Sequence, residues 1–180
     1  MILKKHDYYR IIFLTVCWLL VPVTATIAEG TDDPVKIAVL EFELNDLTLD
    51  PRTPEEVERT ASIKPLLAQI LAEKSGFQVI DIDTSAQNQA NKGFGYLLQH
   101  TDAAADLGQS AGADWIVVGR VHKASFLFVY LMAQLIDNND KRLIAELIVE
   151  VKGPQQRLTI RGVESLAEKI AKAIETRGQT

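Results

Sequence analysis

The apolar run Trp115-Ile-Val-Val118 constrains this chain more than any other feature. A strand with one face in water alternates apolar and polar residues, whereas four consecutive apolar residues indicate a strand covered on both faces. Both valines of the run are therefore predicted to be inaccessible to solvent. Arg120, His122 and Lys123 follow directly, so the end of this buried strand is the first candidate for a functional site.

The first 28 residues have the pattern of a secretory signal peptide. Lys4, Lys5 and Arg10 precede an apolar stretch from Ile11 to Val23, and the small residue Ala28 stands where cleavage would occur. A membrane span needs about 20 apolar residues, so this stretch is short for one, and an uncleaved anchor is the less favoured alternative. We expect export, cleavage near residue 28 and a soluble periplasmic protein.

Cleavage would leave a single domain without cysteine. Residues 29–35 are expected to form a disordered lead-in, residues 36–176 one α/β domain, and residues 177–180 a tail. The one cysteine, Cys17, lies in the removed segment, and the residues before it lack the small side chains of a lipoprotein cleavage site. The mature domain can form no disulfide, so its stability must come from its apolar core.

The chain is acidic, with 24 Asp and Glu against 19 Lys and Arg and a net charge of −5. Removal of the basic signal segment would make the mature part more acidic still. Nucleic acids and anionic membrane surfaces are bound mainly through Lys and Arg. The composition therefore argues against both as partners.

Periodicity and capping residues predict alternating strands and helices. Thr53 and Glu56 have the spacing of a capping box, with Pro54 at the first helical position. Pro65 predicts either a kink or a second helix that begins at Ser62. The predicted strands are 36–42, 77–82, 115–118, 126–136 and 143–151, and the predicted helices are 53–76, 101–111 and 163–174, with a loop at 45–52 and a flexible connection at 83–95.

The two last strands are separated by Asp137 to Asp140, a turn composition that predicts an antiparallel hairpin. Strands and helices alternate before it, which favours parallel pairing there. The predicted fold is therefore an α/β sandwich of two or three layers with a mixed sheet of about five strands.

Several segments resemble the amino-terminal domain of TolB and the related CsgG and LpoB group. They are Ala38–Phe42, Leu67–Gly76, Leu107-Gly108, Gly112–Gly119 and the hairpin. The resemblance implies a periplasmic α/β domain that contacts proteins in envelope assemblies and shares no catalytic residues. The assembly lipoproteins of the group carry an acylated cysteine, which the mature part of this chain would lack, so a membrane-tethered role is not expected.

Within that group, Glu43–Asp46 and His122–Tyr130 resemble a family of exported bacterial proteins of unknown function. This resemblance loosely links the chain to periplasmic quinoprotein alcohol oxidation in methylotrophic bacteria. It assigns no residues to that process.

Arg120 and His122 are the strongest site candidates. Residues two apart on a strand share a face at about 7 Å, so both should project together above Ile116 and Val118. Such a pair can bind a carboxylate or phosphate, and Lys123 is expected to add positive charge. The alternative is a structural pair that forms salt bridges with acidic neighbours.

Two weaker combinations involve acids. His100 could join His122 and Asp102 or Asp46 in a metal site, but the spacing matches no metal motif, and a capping or surface role for His100 is simpler. Asp46 and Asp50 could form a carboxylate pair, but acids in turns are usually solvated. We therefore expect no metal, no cofactor and no catalytic residue.

Phe126, Phe128 and Tyr130 alternate along one predicted strand face. Such a stripe could form an exposed aromatic surface. Packing under a helix is commoner and is the expectation here, with Tyr130 reaching a polar edge.

Two functions remain in view. The first is a non-enzymatic periplasmic partner-binding or accessory protein of an envelope or periplasmic oxidation system. The second is a small anionic ligand-binding protein, or less favoured an enzyme, that uses Arg120, His122 and Lys123. His100, Asp46 and Tyr130 are further candidate contacts for a ligand or partner.

Overall fold

The computed structural model of the chain describes residues 33–48, 50–125, 127–152 and 156–178. The predicted signal peptide, residues 29–32 of the lead-in, Phe126 and the last two residues of the predicted tail lie outside this range. In chain order the elements are β1 (Val35–Val39), β2 (Glu43–Asp46), α1 (Pro54–Ala61), α2 (Ile63–Glu73), β3 (Phe77–Ile80), α3 (Thr84–Ala90), α4 (Tyr96–Gln99), α5 (Thr101–Ser110), β4 (Trp115–Lys123), β5 (Phe128–Asp137), β6 (Arg142–Lys152) and α6 (Gln156–Gly178).

The strands of the described residues form one mixed sheet in the order β3-β1-β4-β5-β6, with β2 also paired to β4. β1 pairs in parallel with β3 and with the beginning of β4, and β2 pairs in parallel with the end of β4. β4, β5 and β6 form an antiparallel meander. The predicted mixed α/β sheet and the hairpin are confirmed. The sheet has six strands because β2 continues the line of β1 beyond a break.

Phe42 and Gly119 shape the break between β1 and β2. Leu40 still donates its backbone N–H to the Val117 carbonyl at 3.0 Å, and the chain then leaves the ladder before β2 rejoins it. The Phe42 ring lies against Gly119, where an added Cβ atom would come within 2.2 Å of the ring. No larger residue fits at position 119 without displacing this buried ring.

Helices pack on both faces, so the sandwich has three layers. On one face α2 and α6 cover Val117 together with Ile37, Leu67 and Leu131. On the other face α3, α4 and α5 cover Val118 and its neighbours Ala38, Leu40, Ile116 and Ile136. Val117 is 0% exposed and Val118 is 4% exposed, which confirms the prediction that the apolar run is covered on both sides.

The layer formed by α3, α4 and α5 leaves part of the sheet uncovered. Its core cluster contains residues from β1 and from the first half of β4, but none from β6. On the rest of that face Ile148 is 50% exposed and Phe128 is 41% exposed. We call this region the open face; alternation along the paired strands places on it Arg120, His122, Tyr130, Met132, Gln134, Glu146, Ile148 and Glu150.

The helix signals before β3 are confirmed. Thr53 Oγ1 accepts from Glu56 N–H at 3.3 Å, and Glu56 Oε2 accepts from Thr53 N–H at 3.2 Å. Of the two alternatives for Pro65, the structure has the second helix: α1 ends before Ser62, and Pro65 lies in the first turn of α2. A proline there interrupts no helical hydrogen bond.

Two loop predictions are wrong. Residues 45 and 46 of the predicted loop belong to β2, because pairing with β4 outweighs the low strand propensity of Asn and Asp. The predicted flexible connection at 83–95 contains α3, which Asp83 caps by accepting from Ser85 N–H. Gln87 fixes this helix to the sheet because its buried side chain accepts from Glu41 N–H at 2.8 Å and donates to the Glu41 carbonyl at 3.1 Å.

The predicted closing helix at 163–174 lies inside the longer α6. Among the residues that the structure describes, no helix combines the length and apolar character needed to cross a membrane.

Candidate functional site

The predicted basic cluster is divided between the two faces of the sheet. Arg120 and His122 lie on the open face, as predicted from their spacing. Lys123 points to the other face, since side chains alternate along a strand, and there it contacts Asp46 Oδ2 at 3.0 Å and Glu56 Oε1 at 2.5 Å. The expectation that Lys123 adds charge to the Arg120 and His122 pair is therefore wrong.

Lys123, Asp46 and Glu56 form a buried ionic cluster. The side chains of Lys123 and Asp46 are 5% and 4% exposed. Burial alone would raise the pKa of Asp46, but hydrogen bonds from the Thr48 side chain and backbone and from Lys123 lower it overall. This cluster joins β2 and α1 to β4. It makes Asp46 a structural residue, and it does not bring Asp46 to any histidine.

Two further pKa values follow from the same contacts. The hydrogen bond from Lys123 is the main reason that the pKa of Glu56 is lowered. Burial acts to lower the pKa of Lys123, but the hydrogen bonds to Glu56 and Asp46 raise it overall. All three groups are therefore charged at neutral pH.

Arg120 is held in place from both sides on the open face. Its Nη2 atom lies 3.7 Å from Glu43 Oε2, and its guanidinium carbon lies 4.9 Å from the centre of the Phe94 ring. Gly95 permits this position, because it has φ +75° and an added Cβ atom would come within 2.6 Å of Arg120 Nη2. Arg120 Nε is buried and has no hydrogen-bond partner among the described residues.

Glu43 connects Arg120 to the segment between α3 and α4. Its Oε2 accepts from Gly95 N–H at 2.7 Å, and its Oε1 accepts from Asn91 Nδ2 at 3.2 Å. The carboxylate therefore fixes this segment and offsets the charge of Arg120. Arg120 is an anchored side chain rather than a freely moving cation.

His122, like Arg120, contacts a side chain of the neighbouring strand β2. Asn45 Nδ2 lies 3.1 Å from His122 Nδ1, and the Tyr130 ring centre lies 6.3 Å from the imidazole centre. An amide nitrogen only donates, so His122 Nδ1 is the acceptor in this contact. The open face therefore presents His122 and Tyr130 as neighbouring half-buried rings.

A pocket of about 240 Å³ lies beside Arg120 on the open face. Gln134 donates from Nε2 to Glu146 Oε1 at 3.3 Å, while its buried Oε1 has no partner among the described residues. The pocket has apolar walls, and two of the residues that line it, Arg120 and Gln134, each have a buried polar atom without a partner among the described residues. Its lining includes Leu98, Gln99, Arg120, Met132, Gln134, Glu146 and Ile148. Such a lining suits an apolar side chain.

His100 does not reach this site. It is exposed and stacks on Tyr96 with ring centres 4.2 Å apart. The part of the chain that the structure describes brings no three His, Cys, Asp or Glu side chains together in a metal-binding group. The suggested set of His100, His122 and an aspartate is thus not assembled.

The aromatic stripe does not pack under a helix, contrary to the expectation. Phe128 is 41% exposed, and Tyr130 is half-buried on the open face. The reason is that α3, α4 and α5 end their coverage before this part of β5. Phe126 lies outside the described residues.

Several residues of the open face were not singled out as site residues from the sequence. The sequence indicates Glu43 and Asn45 only through the family resemblance, because Asn45 falls in the predicted loop at 45–52 and Glu43 lies between that loop and the predicted strand. Gln134 could have been identified as a candidate site residue from the sequence, because it is the one polar residue within the apolar run from Leu131 to Ile136. Ile148 and Phe94 could not, because an isolated apolar residue is common on surfaces.

Comparison with known proteins places the chain in a family. Residues 35–170 match the model of the family described as "Protein of unknown function (DUF2380)". The chain belongs to this family. No curated protein matches it in sequence.

Three solved structures are similar to this family member. PelC, solved as a dodecamer from Paraburkholderia phytofirmans, is 16% identical with a TM-score of 0.50, covering 78% of this chain and 87% of that one. TolB from Acinetobacter baumannii is 17% identical with a TM-score of 0.48, covering 79% and 29%. The LpoB C-terminal domain from Escherichia coli is 16% identical with a TM-score of 0.44, covering 69% and 87%.

These identities establish similarity of fold alone. Of the three, the PelC comparison reaches a TM-score of 0.50, and this family member spans less than a third of the TolB chain. The sheet and helices of the described residues confirm the predicted α/β class, and the PelC comparison supports a shared fold.

Proposed function

We propose that this protein is a non-enzymatic accessory protein of the periplasm that binds a partner protein on its open face. The setting that we propose is an envelope assembly or a periplasmic oxidation system. The open face carries this proposal: a half-covered sheet that leaves Ile148 50% exposed beside a pocket of about 240 Å³.

The chemistry of the open face suits a protein surface. Ile148 and Met132 offer apolar area, and the polar side chains of Arg120, Gln134 and Glu146 lie beside it in the pocket lining. Apolar centres with polar borders are typical of protein interfaces. The dodecamer formed by PelC, which shares the fold, supports a role in assembly.

Replacement of Ile148 should weaken partner binding without unfolding the protein. Ile148→Lys places a charge at the centre of the open face, between Glu146 and Glu150, whose carboxylates favour a lysine there. Loss of a central apolar contact costs about 1.4 kcal/mol or more, which is a tenfold or greater loss of affinity. The measurement is site-specific photo-crosslinking from position 148 in producing cells, followed by affinity measurement with the identified partner.

Val57→Lys is the matched control, because Val57 is 53% exposed on α1, away from the open face. It should leave binding unchanged. If position 148 yields no discrete crosslinked product, or if both lysine variants bind the partner as the wild type does, the open face is not the interface.

A small anionic ligand is the second candidate, favoured by the presence of Arg120 in the pocket lining. Glu43 at 3.7 Å and Glu146 in the pocket wall oppose it, because they offset positive charge. On the favoured proposal, millimolar acetate or phosphate leaves the melting temperature unchanged. Stabilisation by several degrees that disappears in Arg120→Lys would favour the anion site instead.

A further inference from the structure

Among the described residues, β6 forms one edge of the sheet. It runs for 11 residues from Arg142 to Lys152 and pairs with β5 on one side. The other side of an edge strand presents backbone N–H and C=O groups that can pair with a further strand. Side chains of β6 line the pocket described above, whereas the edge consists of the outward backbone groups of the strand.

One contact identifies which groups point outward. Lys169 Nζ on α6 donates to the Ile148 carbonyl at 2.7 Å, so this carbonyl faces away from β5. Residues of an antiparallel strand alternate between hydrogen-bonded and non-hydrogen-bonded positions. The N–H and C=O groups of Glu146 and Glu150 therefore point outward as well.

A shallow groove of about 450 Å³ runs between this edge and α6. Its floor is apolar, with Ile144, Leu147 and Ala173. Lys169, Lys172 and Arg177 border it, and Arg177 is paired with Asp140 at 2.9 Å. On a chain with a net charge of −5, this is a locally basic border beside a strand edge.

We propose that β6 and this basic side of α6 bind an extended acidic peptide segment of a partner protein as an additional strand. The peptide backbone pairs with the outward groups of β6. Its alternate acidic side chains lie over α6 and contact Lys169 and Lys172. In the complex a peptide N–H donates to the Ile148 carbonyl in place of Lys169. The Lys169 ammonium then forms an ion pair with a peptide carboxylate.

The charges on β6 also select the orientation. Glu146 and Glu150 are on the open face, so acidic side chains of the peptide are repelled there and accommodated on the α6 side. Apolar side chains of the peptide then lie beside Ile148. A second copy of this chain fits less well, because pairing of two β6 edges would bring Lys169 and Lys172 of each copy towards those of the other.

The probe is a fluorescein-labelled nine-residue peptide that alternates valine with glutamate, compared with one that alternates valine with lysine. Fluorescence anisotropy should show at least tenfold tighter binding of the glutamate peptide, weakening as salt is added. Amide hydrogen exchange should show slower exchange at Glu146, Ile148 and Glu150 when the glutamate peptide is bound.

Lys172→Glu should weaken binding of the glutamate peptide at least fivefold, whereas Lys92→Glu, at an exposed lysine on the α3–α4 connection, should not. Equal binding of both peptides, absence of binding, or no change in exchange along β6 would overturn the proposal. Protection of β6 that rises with protein concentration without peptide would also overturn it, in favour of self-pairing. Lys172 borders the groove beside α6 and does not line the pocket of the open face, so Lys172→Glu tests the strand edge separately from the open face.

Discussion

Val118→Asp will prevent the protein from folding. Val118 is 4% exposed and packs with Leu40, Ile116 and Ile136 beneath α3, α4 and α5. A carboxylate there would lie among apolar side chains and be removed from water, which costs several kcal/mol. A typical domain is stable by only about 5–15 kcal/mol. Far-ultraviolet circular dichroism and thermal melting of the purified variant measure the effect.

Val57→Asp provides the matched comparison. Val57 is 53% exposed on α1, so the same chemical change there leaves the carboxylate in water. Its melting temperature should stay close to that of the wild type. A folded Val118→Asp variant with an unchanged melting temperature would contradict the placement of β4 at the centre of the sandwich.

Lys123→Met should destabilise the fold by about 3 kcal/mol, because it leaves Asp46 and Glu56 buried without their cation. The three side chains are 5%, 4% and 16% exposed, so water compensates little for the loss. Urea denaturation at neutral pH gives the change in free energy of unfolding. Lys141→Met removes the exposed ion pair with Asp106 and should have little effect.

The pH dependence separates this ionic cluster from simple loss of packing. The pKa values of Asp46 and Glu56 are lowered from 3.8 and 4.5 in the folded protein. Their contribution to stability is thus present above these values and is lost as the pH falls through the lowered pKa values. The pKa of Lys123 is raised from 10.5, so its contribution is present below 10.5 and is lost as the pH rises above the raised value.

In Lys123→Met the two carboxyl groups are left without their cation, so protonation should relieve the destabilisation. The difference from the wild type should therefore shrink as the pH falls towards 3. A difference that stays constant from pH 7 to pH 3 would contradict the ionic explanation.

The buried strands and the helix starts were predictable because their signals are local. The run at Trp115–Val118 cannot tolerate water on either face, and the capping box of Thr53 and Glu56 satisfies backbone groups within four residues. The mixed sheet followed from the order of these elements. The strand β2 was missed because Asn45 and Asp46 become strand residues only through pairing with β4, 77 positions away.

The site was predictable only in part. The alternation of side chains along a strand predicts that Arg120 and His122 lie together. The same rule puts Lys123 on the opposite face of β4, so it could not add charge to that pair. The partners Glu43 and Asn45 depend on the missed strand. The exposure of Phe128 and Tyr130 depends on where the layer of α3, α4 and α5 ends on the sheet. No local sequence pattern predicts that boundary.

The two kinds of pairing along β4 have a consequence for the order of folding. On one side β4 meets β5 through a connection of a few residues, and on the other it meets β2 across 77 positions, as at Glu43 and Arg120. Closing the short loop costs less chain entropy than closing the long one. The meander should therefore form early, and the links of Glu43 to Arg120 and of Asp46 to Lys123 should form late. Weakening these late links would accelerate unfolding rather than slow folding. The lifetime of the native state therefore depends on β2, the strand whose sequence is least typical of a strand.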